Sequence, residues 1–212
     1  MIKRMIATAM LVAAPVFAFA ANYIEGEQYQ ELATAIPTSV AKDKVEVFEF
    51  FWYGCPHCGH FEPALHAWQK AAPDDVVLTQ SPAMWNKAMA LHAKLFYTVQ
   101  VLGLSDTMNE QIFTMFNANP KVFSNEAQIK QFFIDNGVSE KKFLQAFNSF
   151  GVSSLVRQAD ARARGAQIEG TPEMNVNGRY RVSARMAGSQ AEMLKVVDFL
   201  IEKERQRIAA QQ

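Results

Sequence analysis

The chain has 212 residues, half of them hydrophobic and a fifth charged, which is enough to bury a real core in one large domain or a domain with an insertion. Its 21 basic residues are matched by 21 acidic ones, so net charge gives no electrostatic reason to expect nucleic acid as a partner, and none is expected.

The N-terminus "MIKRMIATAMLVAAPVFAFAANY" places Lys3 and Arg4 ahead of an uncharged apolar run and ends that run on Ala18-Phe19-Ala20. A positive start, a short apolar stretch and a small-x-small site predict a secretory signal peptide over residues 1–20, cleaved after Ala20. The apolar run from Met5 to Phe17 is short against the ~20 residues of a spanning helix, and no stop-transfer charges follow it. Cleavage leaves 19 basic and 21 acidic residues, a net charge of −2, on a chain beginning near Ala21. It also delivers the chain outside the cytoplasm, where disulfides form and persist.

Residues 22–42 read as an extended arm with one edge strand, stopped near Pro37. "KVEVFEFFW" (44–52) is the clearest strand: it is apolar on both alternating faces, as a central strand covered on both sides must be. A helix is expected to begin at the cysteines and run through "HFEPALHAWQKAA", kinked at Pro63. "DVVLTQSP" (75–82) reads as a second buried strand.

From Trp85 to Gly165 the periodicity becomes helical. "NKAMALHAKLFYTVQVLG" ends on Gly103, and "SDTMNEQIFTMFNAN" ends before Pro120. "SNEAQIKQFFIDNG" and "SEKKFLQAFNSFG" each open on a serine cap and close on a glycine. "SSLVRQADARARGAQI" supplies a fifth helix. Strands return at "EMNVNGRYRV" (173–182), where Asn177-Gly178 between two alternating runs is a hairpin signal. The last helix, 189–209, starts with a capping box, Ser189 with Glu192, and places Met193, Val196, Val197, Leu200 and Ile201 on one face. The order predicts an α/β unit, 21–84 with 166–212, split by an all-helical insertion, 85–165.

Both cysteines lie in "FEFFWYGCPHCGHF" (48–61), and three readings compete for them. As a staple, a disulfide across four residues constrains little, ~2 kcal/mol, because those residues are already close. As a zinc site, the pair lacks two further cysteines, and the spacing of His57 and His60 does not match known ligand knuckles. The reactive reading explains more. Cys55 follows a buried strand and opens a helix, where unpaired N–H groups and the positive dipole end stabilise a thiolate. Pro56 suits the first helical position, having no N–H to lose. His57 adds a polar ring beside the sulfur. Cys58, one turn on and more buried, keeps a normal or raised pKa. Exchange needs such a pair: an exposed low-pKa thiol that leaves easily and a shielded partner that resolves. Each unit of depression of the first pKa below ambient pH makes the disulfide more oxidising by about 30 mV. The pair is therefore expected to donate its disulfide.

"EFFWYGCPHCGHFEPAL", a helical block, then "GTPEMNVNGRY" resembles the DsbA family of periplasmic thiol:disulfide oxidoreductases over essentially the whole mature chain. The resemblance implies a thioredoxin fold interrupted by a helical domain, periplasmic localisation, Cys55 as nucleophile and Cys58 as resolving thiol. It implies no cofactor beyond the Cys55–Cys58 disulfide, with unfolded or reduced secreted proteins as substrates. It further implies a DsbB-type quinone-linked membrane protein as reoxidant, and a cis peptide between Thr171 and Pro172 beside the cysteines, exposing backbone on which a substrate strand can pair. Isomerases of this fold carry a dimerisation domain ahead of the catalytic one; the roughly 34 residues between Ala21 and Cys55 leave no room for it, which favours a monomeric oxidase. A reductase or isomerase remains the alternative within enzymes, and a secreted holdase-type binding module outside them.

Glu49 stands alone as a charge in the apolar run from Val47 to Tyr53. A carboxylate inside a central strand is costly unless paired. The resemblance implies that it relays the proton of Cys58; the bland alternative is a strand-end residue reaching water. Three departures from the family pattern stand out. Gln80 occupies a strand where the family often has a lysine near such a glutamate. Thr171 takes the place of an apolar residue, its hydroxyl in reach of a sulfur. Gly54 precedes Cys55 where bulkier residues occur, and is expected to widen access. Phe51, Trp52 and Tyr53 are candidates for core, binding surface or both.

Overall fold

The structure is a computed structural model and describes residues 22–211, so the expected signal peptide lies outside the described residues. Along them the chain runs β1 (Gln30–Glu31), β2 (Val45–Phe51), α1 (Pro56–Ala71), β3 (Val76–Pro82), α2 (Lys87–Val101), α3 (Ser105–Ala118), α4 (Glu126–Asp135), α5 (Glu140–Phe147), α6 (Phe150–Gly165), β4 (Glu173–Val176), β5 (Tyr180–Ser183), α7 (Ala184–Ala187) and α8 (Gln190–Ala209). The strands form one sheet in the order β1-β5-β4-β2-β3. β2 runs parallel to β3 and antiparallel to β4.

All seven residues of β2 are buried because the strand has a neighbour on each edge and helices on each face. Val45 and Val47 pack with Phe61 and Leu65 of α1 and with Met193, Val196, Val197 and Leu200 of α8. Phe48 and Phe50 turn to the opposite side and meet Ile36, Met89, Ala163 and Ile168. The alternation follows from the period of two along a strand. β3 differs from expectation: five of its seven residues are only half-buried, because it is the edge of the sheet and not an interior strand.

The helical block α2–α6 enters between β3 and β4 and builds its own phenylalanine-rich core, which joins Phe51, Tyr53, Cys55 and Cys58. Its boundaries correct the sequence reading in detail. Asn125, not Ser124, caps α4, its side chain accepting from the Gln128 N–H at 3.1 Å. Gly151 does not close α5; it lies within α6, which starts at Phe150 on a Ser149 cap. Serine and asparagine both cap helices well, and the adjacent Ser124 and Asn125 compete for the same orphan donors, so sequence alone cannot choose the register.

Asn177 and Gly178 adopt φ of 50° and 71° at the tip of the β4–β5 hairpin, and the Arg179 N–H donates to Val176 O at 2.9 Å. Glycine is required at 178 for a second reason: a Cβ there would lie 2.1 Å from the Ile36 carbonyl oxygen. The arm and hairpin are tied there by the Ile36 N–H to Gly178 O, 2.9 Å. Half of the expected capping box forms at α8: Ser189 accepts the Glu192 N–H at 3.0 Å, whereas the Glu192 carboxylate accepts from Tyr23 and Lys195 instead. The short α7 is absent from the sequence reading, since four residues are too few for a periodic signal.

Candidate active site

β2 delivers the chain through Trp52, Tyr53 and Gly54 to Cys55, the N-cap of α1, with Pro56 as the first helical residue. Cys55 is extended (φ −90°, ψ 112°); its N–H donates to Trp52 O at 2.9 Å and its carbonyl accepts the Cys58 N–H at 3.0 Å. The two sulfurs therefore sit at the open N-terminus of a sixteen-residue helix, both as free thiols.

Their acidities diverge. The Cys55 thiol is brought down to about 5. Its largest cause is the hydrogen bond from the Cys58 thiol, opposed by burial and reinforced by the Thr171 side chain and the main-chain N–H groups of Cys58 and His57. Cys58, fully buried, is pushed far up, first by burial and then by Cys55 itself. The expected asymmetry holds, with two changes. Cys55 is not broadly exposed: only 9% of its surface meets solvent. His57 acts on it through its backbone N–H, while its carbonyl accepts from Gln190 at 2.7 Å.

The Thr171–Pro172 peptide is cis, and its loop lies against the nucleophile. The Cys55 thiol donates to Thr171 O at 3.3 Å. That contact needs the S–H and is lost on ionisation, whereas the Thr171 side chain favours the thiolate, so one residue can serve both protonation states. A cleft of about 500 Å³ opens alongside, lined by His57, Thr171, Pro172, Arg185 and Gln190 among others. A larger one, about 600 Å³, lies between the end of α1 and α8 around Trp68, Phe199 and Arg205 and contains neither cysteine.

Beneath the cysteines lies a buried acid pair. Glu49 is fully buried, so it does not reach water as a strand-end residue would. Burial raises its pKa, and Glu62 raises it further. Gln80, opposite it in the β2–β3 register, donates to Glu49 Oε2 at 2.8 Å and to Glu62 Oε1 at 2.9 Å. Burial brings Glu62 up to about 7, and its other oxygen meets His66 Nε2 at 3.1 Å. The second Glu49 oxygen, Oε1, has no protein partner. Glu62 is absent from the sequence candidates, yet a signal existed: Cys58, Phe61, Glu62 and Leu65 share the buried face of α1.

Gly54 does not widen access. A Cβ there would lie 2.4 Å from the Trp52 ring, so the missing side chain is filled by the indole. Phe51 and Tyr53 are core, the Tyr53 hydroxyl donating to Asn109 at 2.5 Å; Trp52 is half-buried. Among the described residues no group of three or more His, Cys, Asp or Glu side chains is placed to hold a metal, and no helix is long and apolar enough to cross a membrane.

A thiol pair of unequal acidity, opening the first helix after a central strand and faced by a cis-proline loop, puts the chain in the class of thioredoxin-fold thiol:disulfide oxidoreductases. The family described as DSBA-like thioredoxin domain matches residues 71–195. The thiol:disulfide interchange protein DsbA of Pseudomonas aeruginosa is 36% identical over 206 residues, covering 96% of this chain and 97% of the relative. That of Bordetella pertussis is 38% identical over 203 residues, covering 95% and 96%. The crystal structure of Pseudomonas aeruginosa DsbA superposes with a TM-score of 0.82 at 36% identity, over 90% of this chain and 97% of that one. The oxidoreductase DsbA from Xylella fastidiosa gives 0.79 at 30% identity, over 86% and 98%. The chain belongs to the DsbA family.

Proposed function

We propose that this protein is a periplasmic dithiol oxidase that donates the Cys55–Cys58 disulfide to newly secreted proteins. A substrate thiolate attacks Cys55 Sγ, the Cys55–Cys58 bond breaks, and a mixed disulfide forms on Cys55. Cys58 leaves and takes a proton, because its thiolate is strongly disfavoured. Glu49, kept protonated by burial and near enough to raise the Cys58 pKa, is taken as the donor, and Gln80, Glu62 and the half-exposed His66 lead from it toward water. A second substrate thiolate then attacks the substrate sulfur of the mixed disulfide. Cys55 departs as the stabilised thiolate, and two electrons stay on the protein as the dithiol. Pro56 and His57 shape the helix start that stabilises that leaving group. Thr171 and Pro172 offer backbone beside Cys55 for an extended substrate strand.

On this reading residues 1–20 export the chain, 85–165 form an insertion in the unit built by 21–84 and 166–212, and the protein acts as a monomer. A DsbB-type quinone-linked membrane protein returns the dithiol to the disulfide, and no further cofactor takes part. The opposite displacement of the two thiol pKa values carries the proposal. The test is the equilibrium of the Cys55–Cys58 pair with glutathione. A strongly oxidising potential is expected, and one close to thioredoxin's would overturn the oxidase in favour of a reductase or isomerase. Cys55→Ser separates the holdase reading: an oxidase should lose all exchange activity, whereas a binding module would keep suppressing aggregation. Cys58→Ser should accumulate the mixed disulfide.

A further inference from the structure

Neither the proton path nor the cis-proline loop uses His92, a buried titratable group beside the redox segment. His92, on α2, is 4% exposed and sits between the helical insertion and the segment that carries the cysteines. Its Nδ1 accepts the Trp52 indole N–H at 2.8 Å, and its Nε2 lies 3.2 Å from Phe123 O. An imidazole that accepts at Nδ1 and faces a carbonyl at Nε2 is fixed as the neutral tautomer protonated on Nε2. Burial lowers its pKa in the same sense. The ring lies nearly coplanar with the Trp52 indole, centroids 6.0 Å apart and planes 11° apart, as an in-plane hydrogen bond requires, and meets Phe116 edge-on at 4.8 Å. Its anchor is a buried residue held at a φ of 57°, Phe123, in the α3–α4 connection.

The other end of this line is the redox loop. The Trp52 carbonyl accepts the Cys55 N–H at 2.9 Å, and its indole fills the space a Gly54 side chain would take. The Trp52 main-chain N–H is also the group that most favours the Cys58 thiolate. Trp52 therefore holds the Cys55 end of the loop through its backbone, and its side chain is fixed by one directional bond.

We propose that His92 is a positioning residue for disulfide exchange: in its single tautomer it fastens Trp52 to Phe123 of the insertion and so sets the backbone that holds Cys55 and Cys58. The inference rests on the exchange reading above. Loss of the acceptor frees the indole, slackens the Trp52–Cys55 turn and weakens the stabilisation of thiolate at the helix start.

Two replacements divide the imidazole. Asn places an oxygen where Nδ1 lies and can accept the indole N–H; Gln places its amide nitrogen where Nε2 lies and keeps only the bond to Phe123. The measurements are the glutathione equilibrium constant and the decay rate of a mixed disulfide on Cys55, with thermal midpoints taken alongside. His92→Gln should make the disulfide a weaker oxidant by about five-fold, the worth of one hydrogen bond, and slow the decay comparably, whereas His92→Asn stays within about two-fold of the parent. Trp52→Phe, which keeps a ring but drops the N–H, should show the Gln effect, and adding His92→Gln to it should change nothing more. The inference is overturned if His92→Gln lowers the thermal midpoint yet leaves equilibrium and decay rate unmoved, or if Asn and Gln behave alike. Should His92→Gln fail to fold, Trp52→Phe alone decides by the same two measurements. A parent protein that is not oxidising would instead sink the exchange reading, a result distinguishable from either.

Discussion

Glu49 and Glu62 share one amide: Gln80 Nε2 lies 2.8 Å from an oxygen of the first and 2.9 Å from an oxygen of the second. Two buried carboxyls so linked, with no cation between them, cannot both ionise cheaply. Both titrate above the 4.5 of a free glutamate, Glu62 at about 7.

A raised carboxyl pKa in the folded state stabilises the fold below the unfolded pKa, and that contribution is lost as pH rises through the folded one. Glu62→Gln should therefore match the parent at pH 4 and exceed it at pH 8 by about 1–3 kcal/mol, the gain entering between those values. Urea unfolding of the two proteins at both pH values checks this. A variant no more stable than the parent at pH 8 would show that Glu62 ionises without penalty.

Cys55 carries the opposite sign. Its folded pKa of about 5 lies below the 9.0 of a free thiol. The dithiol form should gain stability on the disulfide form as pH rises from about 5 to 9, and that gain should be lost as pH falls back through 5. Alkylation of the reduced protein should follow a single titration with a midpoint near 5. Thr171→Val removes the side-chain contribution to the thiolate and should move that midpoint upward by about one unit, weakening the oxidant accordingly. An unmoved midpoint would show that the Thr171 side chain does not support the thiolate.

The redox centre was legible because its chemistry is local: Cys55, Pro56 and Cys58 follow a buried strand and start a helix, which brings the N–H groups to the sulfur whatever the rest of the fold does. The hairpin was legible for the same reason, since Asn177-Gly178 specifies its own backbone. Glu62 and His92 were not legible as parts of a site, and Gln80 only through the resemblance that set it near Glu49. Each is defined by a partner 18 to 40 positions away, and a lone polar residue on an apolar face carries no sign of what it will meet. Gly54 was misread in the same way: it looked like an opening because the neighbour that fills it, Trp52, folds back over it.

Gly54→Ala tests that packing. The added methyl would lie 2.4 Å from the Trp52 ring, and its nearest contacts are all on an indole already bonded to His92. Displacing the ring should cost about 1–3 kcal/mol and change the near-ultraviolet signature of Trp52. A variant as stable as the parent, with that signature intact, would mean the indole has room to move.

The loop that presents Thr171 depends on a buried ion pair that the sequence reading did not single out. Arg181, 4% exposed, donates to Glu173 at 2.7 Å and to Glu169 at 2.8 Å, while the other Glu173 oxygen accepts the Glu169 N–H at 3.2 Å. Three groups thus close the segment from Glu169 to Glu173 around the cis peptide. Burial raises the Glu173 pKa and Arg181 holds it down, so removing the guanidinium leaves a buried carboxyl with burial unopposed. Arg181→Met should cost about 3–5 kcal/mol at pH 7 and much less at pH 4, where Glu173 takes up a proton and no buried charge remains. Adding Glu173→Gln to Arg181→Met should recover most of the loss at neutral pH, because the penalty belongs to the unpaired charge and not to missing volume. Urea unfolding at the two pH values reads the effect. A loss equal at both would place the cost in packing of the Arg181 stem instead.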